Sequence, residues 1–143
     1  MTIAITTEQK QAFETGPQIR NSNTNMIVKN ERSKRAILDA LGDTELQKIL
    51  DATMFNSKAV SQIIRDTGIP QTTAYRKIRW LLVEKLLVVD KIEITEDGKK
   101  SSLFRTVLKS FNVKYEYNNV VIEAEQNYDT LKKITERFFS LDT

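Results

Sequence analysis

The sequence predicts an α+β fold, and three observations predict it. Apolar residues recur at helical spacing between Ser33 and Leu82, alternate with polar ones from Leu86 to Ala124, and return to helical spacing after Asn127. Helices, then two hairpins, then a closing helix is the order of an α+β chain. At 143 residues, 40% apolar and 29% charged, the chain suits one globular unit with a core of its own.

The first 30 residues are rich in Thr, Asn, Gln and Ser and read as a mostly irregular arm. A helical turn over Thr7–Phe13 and a short strand or tucked segment at Met26-Ile27-Val28 are its expected order. The first helical pattern opens at Ser33, with Ala36, Ile37, Ala40 and Leu41 inward, and Gly42 stops it. Thr44 with Gln47 fits a capping box ahead of Leu46, Ile49 and Leu50. Asn56 or Ser57 caps the third helix, whose inner face is Val60, Ile63 and Ile64; Gly68 ends it as the left-handed residue. Pro70 stands at the first turn of the fourth helix. There Ala74, Ile78, Leu81 and Leu82 face inward, while Thr72, Arg76, Arg79 and Val83 fall on the opposite side.

Past Leu86 the period becomes two. Ile92 and Ile94 alternate with Lys91 and Glu93, Glu96–Lys100 supplies a turn, and the return strand runs Leu103–Leu108. A second hairpin carries Val113, Tyr115 and Tyr117 on one side, turns at Asn118-Asn119, and returns through Val120, Ile122 and Ala124. Its Glu116, Glu123 and Glu125 make it acidic, so it is expected to enlarge the sheet or join a subunit interface. Asn127 or Asp129 opens a last helix striped by Tyr128, Leu131, Ile134, Phe138 and Leu141. At roughly 14 residues that helix is marginal alone and must pack on something. Phe138 and Phe139 are too bulky to share one narrow stripe; with Leu131, Ile134 and Leu141 they point to a dimer interface. The expected division is an arm at 1–30, a central domain at 31–125 and a dimerising helix at 126–143.

Composition excludes much. The chain has no cysteine and no histidine, which removes disulfides, thiolate or imidazole metal sites, and Cys- or His-based catalysis. Glu93, Glu96 and Asp97 lie close in sequence, but no nucleophile accompanies them. No enzyme, metal site or cofactor is expected, and no small-molecule effector can be named. The longest apolar runs, such as Leu86–Val89, fall far short of the ~20 residues a membrane helix needs. With no charged-then-apolar leader, the cytoplasm is the expected compartment.

The formal net charge is only +3, yet it is concentrated. Residues 69–85 hold Arg76, Lys77, Arg79 and Lys85 against Glu84 alone, and the other segments nearly cancel. Three helices, a tight Gly-containing turn between the last two and a following hairpin describe a winged helix-turn-helix. In that reading helix 70–85 enters the major groove of double-stranded DNA. Arg76 and the Gln71–Thr73 edge meet bases, where Arg forks onto guanine and Gln onto adenine, while Tyr75 suits a phosphate oxygen or a thymine methyl, or packs its ring on the inner face. Arg79, Lys77, Lys58 and the wing residues Lys99 and Lys100 hold phosphates. Trp80, between the two faces of the helix, is expected to pack against the wing or the first helix. The rival reading is a winged-helix protein-interaction module in transcription machinery, without sequence-specific DNA binding of its own.

The run Gly68-Ile69-Pro70-Gln71-Thr72-Thr73-Ala74-Tyr75-Arg76, with Ala36–Asp43 upstream, resembles prokaryotic winged-helix transcription regulators of the ArsR-like and related archaeal type. The resemblance covers about residues 33–110 and implies a homodimer reading two half-sites. Metal sensing in that family uses Cys and His, so this chain departs from it there.

Overall fold

The start of each helix is set by what can satisfy its first N–H groups. The computed structural model describes residues 25–127. In it Asn30 Oδ1 accepts from the Ser33 N–H at 3.0 Å, so α1 (Glu31–Leu41) begins two residues ahead of the expected Ser33. The cap of α2 (Thr44–Ala52) is Asp43, whose carboxylate accepts from the Leu46 N–H at 3.0 Å. Thr44 is therefore helical, and Gln47 reaches back to the Leu41 carbonyl. Neither Asn56 nor Ser57 caps α3 (Val60–Thr67). Lys58 exchanges both backbone hydrogen bonds with Phe104 (3.0 and 2.8 Å), which holds the chain extended there until Ala59. The Gln62 side chain accepts from the Ala59 N–H instead, and Ser57 donates to Asp90.

A three-residue turn leads to α4 (Gln71–Val83). Gly68 sits at φ 72°, and its N–H donates to the Ile64 carbonyl at 2.9 Å. A Cβ there would meet open space, so the demand for glycine is conformational, not steric. Each helix sends a fully buried side chain to one core: Ile37, Ile49, Ile63 and Leu81. Each such side chain contributes roughly 1.5–3 kcal/mol by leaving water. Leu41, expected inside, is exposed, because the buried stripe Ser33-Ala36-Ile37-Ala40 leaves it past the edge.

The strands β2 (Leu87–Ile94) and β3 (Lys100–Thr106) form one antiparallel hairpin; β4 (Leu108–Glu116) and β5 (Asn119–Gln126) form another. The second hairpin does not enlarge the sheet of the first. It joins β1 (Asn25–Ile27) in a separate sheet of order β1-β5-β4. The change of sheet falls at Val107, fully buried, whose N–H donates to the Leu86 carbonyl. Buried Val28 donates its N–H to the Ile122 carbonyl at 2.8 Å, which ties the segment ahead of α1 to β5. The second turn is Tyr117–Asn118, both at positive φ (47° and 63°), one residue before the expected Asn118-Asn119. A two-residue loop of type I′ requires that conformation at both positions. The described residues thus make an α+β arrangement of four helices and two antiparallel sheets. None of those helices is long and apolar enough to cross a membrane. The turn expected at Thr7–Phe13 and the helix expected at 126–143 lie, but for residues 126 and 127, outside the described residues.

Two buried threonines tie helices to hairpin. Thr106 Oγ1 donates to the Leu50 carbonyl at 2.7 Å and lies 2.8 Å from Thr53 Oγ1, while the Thr106 N–H donates to the Thr53 carbonyl at 3.0 Å. Thr106→Val keeps the shape and removes the hydroxyl. The expected cost is about 1 kcal/mol, since Thr53 retains its bond to Ile49, and a urea midpoint at unchanged m-value measures it.

Candidate nucleic-acid interface

The geometry of α4 follows from its two faces. Ala74, Ile78 and Leu81 are buried on one, and small Ala74 lets the helix lie close to its neighbours. Ile69, also buried, fills the space under the turn. The other face is left to solvent: Gln71, Thr72, Tyr75, Arg76 and Arg79 are exposed, and Thr73 is half-buried. Tyr75 is 51% exposed. Among the described residues Arg76 and Arg79 make no ion pair. No side chain caps α4, so the N–H groups of its first turn have no capping side chain.

Lys77, expected at a phosphate, makes contacts within the fold. Its side chain is 12% exposed and turned onto α2, with Nζ 2.5 Å from Asp43 and 3.5 Å from Glu45. That bond, with the Leu46 N–H, holds the Asp43 carboxyl below the usual aspartate range. A lysine so engaged ties α4 to the start of α2. Lys58 is also engaged within the fold: Nζ lies 2.7 Å from Asp66, and its backbone is paired with Phe104. Glu84, the one acid of the basic stretch, is also engaged, since the Arg32 guanidinium donates to both its oxygens at 3.1 and 3.2 Å. The concentrated charge thus reduces to Arg76 and Arg79 on α4, with Lys85 exposed just beyond it.

Trp80 packs toward the first two helices. It lines a recess of about 280 Å³ with Asp39 and Asp43, Leu46, Arg76 and Lys77. Arg76 thus leaves the helix beside two carboxylates of α1 and the α2 cap without bonding either. Sequence reasoning missed Asp43 as the organiser of this corner; its spacing of three from Leu46 was the available signal.

A short turn joins α4 to β2, with Lys85 at φ 63° and the Leu86 N–H donating to the Leu81 carbonyl at 2.9 Å. The first hairpin is therefore tethered to the C-terminal end of α4. Its tip is held by Thr95, which donates to Asp97 and accepts from the Lys99 N–H, with Gly98 at φ 79°. The Thr95 bond draws the Asp97 carboxyl below its usual range. Lys99 and Lys100 are exposed there, and Lys99 lies 4.0 Å from Asp97, an exposed pair of little energetic weight. The candidate dimer residues Leu131, Ile134, Phe138, Phe139 and Leu141 lie outside the described residues.

No family model and no curated protein matches the chain. Among solved structures it is similar to the crystal structure of NolR from Sinorhizobium fredii, at 12% identity over 98% of this chain and 96% of that one, with a TM-score of 0.36. A likeness at that level carries no argument about function, which rests on the residues themselves.

Proposed function

We propose that the chain is a winged helix-turn-helix transcription regulator that binds double-stranded DNA sequence-specifically. The observation that carries the reading is the outer face of α4. Two arginines without ion-pair partners among the described residues stand beside Gln71, Thr72, Thr73 and Tyr75 on a helix locked from behind by its apolar face and by Lys77. Guanidinium forks on a helix of this width suit guanine in the major groove, and the uncapped first turn suits a phosphate. Arg76 and the Gln71–Thr73 edge read bases, and Arg79 holds phosphate. The β2–β3 hairpin is the wing, with Lys99 and Lys100 on the backbone. The protein works in the cytoplasm as a homodimer, so that two such helices address two half-sites.

Fluorescence anisotropy with random duplex across a salt series tests this. Binding that falls steeply with salt supports it, and no binding at low salt overturns it. Lys99→Ala with Lys100→Ala is expected to weaken all duplexes alike and to lower the salt slope by up to about 2. The rival reading, a protein-interaction module, is favoured by one feature: Ile92 and Ile94 are exposed along the hairpin.

A further inference from the structure

The second hairpin carries an edge that the DNA-binding reading leaves unused. Its hydrogen-bonding sense follows from two independent observations. The Val28 N–H donates to the Ile122 carbonyl, so the backbone groups of Ile122 point toward β1. In an antiparallel strand both backbone groups of a residue point to one side, and the side alternates along the chain. Val113, opposite Ile122, therefore directs its N–H and C=O away from β5, and Phe111 and Tyr115 do the same. The turn gives the same answer. A two-residue loop at Tyr117–Asn118 closes on Glu116 and Asn119 as a hydrogen-bonded pair, which makes Lys114–Val121 and Asn112–Glu123 the next bonded pairs.

Among the described residues nothing pairs with this edge of β4. The outward-bonding residues also belong to the apolar face of the sheet, which carries Ile122 and Ala124. At its rim Val113 is 36% and Tyr115 71% exposed. Free strand edges are ordinarily blunted, because open backbone groups beside apolar side chains invite another strand.

We propose that this edge pairs with the same edge of a second copy of the chain, antiparallel about a two-fold axis at Val113. A bulge between Leu108 and Ser110 and the turn at Tyr117 delimit a regular stretch, Ser110–Glu116, whose midpoint is Val113. The two-fold there sets Phe111 opposite Tyr115 of the second copy, twice, and Val113 opposite itself. Every outward residue then meets an outward residue, exchanging about six backbone hydrogen bonds. On the other face Ser110 meets Glu116, and Asn112 meets Lys114, so no like charges stand directly opposite. An axis at Asn112 would set Tyr115 against the bulge at Lys109, and one at Tyr115 would run into the positive-φ turn. The product is a continuous six-stranded sheet, β1-β5-β4-β4-β5-β1. Such pairing does not depend on DNA binding, and it places the dimer contact on β4 where the sequence pointed to Leu131–Leu141.

The absence of cysteine makes the test direct. Cα atoms in a hydrogen-bonded pair lie about 5.5 Å apart, within disulfide range. Full-length Val113→Cys is expected to form a covalent dimer under mild oxidation, while Lys48→Cys, exposed on α2, stays monomeric on a non-reducing gel. Val113→Pro removes one outward N–H and no bond to β5, and Tyr115→Glu places a charge at the seam. Each is expected to raise the dimer dissociation constant at least tenfold in sedimentation equilibrium, with far-ultraviolet circular dichroism unchanged. The proposal is overturned if the wild-type chain is monomeric at tens of micromolar, or if Val113→Cys links no faster than Lys48→Cys. It is equally overturned if both seam variants keep the dimer while Phe138→Glu abolishes it.

Discussion

Replacing Arg76 and Arg79 together by alanine is expected to lower affinity for the preferred duplex on the order of 100-fold. A bidentate guanidinium–guanine contact discriminates by about 1–3 kcal/mol, and a lost phosphate contact adds to it, which together reach roughly 3 kcal/mol. The single variants should divide the effect in kind. Arg76→Ala narrows the gap between preferred and random sequence. Arg79→Ala weakens both alike and lowers the salt slope by about 0.9. Neither change should disturb folding, since both side chains are exposed and unpaired among the described residues. Circular dichroism and the thermal midpoint provide that control. If the double variant binds preferred and random duplex as the wild type does, α4 is not the recognition helix.

What could be read from the sequence, and what could not, divides by distance along the chain. The inner face of α4 and the left-handed Gly68 were legible, because periods of 3.6 and short turn patterns are local. The turn at Tyr117–Asn118 was missed by one residue, since Asn118 and Asn119 compete equally in composition and only the strand register decides. The larger misses all involve remote partners. Lys77 counted as a surface charge until Asp43, 34 residues away, claimed it; Glu84 counted against the basic stretch until Arg32, 52 residues away, claimed it. Asn56 and Ser57 are good caps by type, but the Lys58–Phe104 bridge holds that segment extended. A count of charges treats every side chain as free. The fold decides which remain so, and on α4 it leaves Arg76 and Arg79 without ion-pair partners among the described residues.

Asp43→Ala is expected to cost more stability than Thr106→Val, at about 2–3 kcal/mol, because two losses coincide. The α2 cap to Leu46 disappears, worth about 1 kcal/mol, and mostly buried Lys77 is left with Glu45 alone at 3.5 Å. Asp43→Asn separates the two, since Asn caps nearly as well as Asp but carries no charge; it should recover the cap portion only. The pH dependence has a definite sign. The folded carboxyl titrates below the ordinary aspartate value of 3.8, chiefly through its bond to Lys77 and next through the Leu46 N–H. Its contribution is therefore complete above that ordinary value and is lost as pH falls through the lower folded value. Urea midpoints of wild type and Asp43→Asn should converge across that acidic window and differ by a constant amount above it. DNA affinity is the discriminating readout. With Lys77 holding α4 on α2, Lys77→Met should change binding by less than about threefold while lowering stability. A tenfold loss of affinity at unchanged stability would return Lys77 to the phosphate contacts.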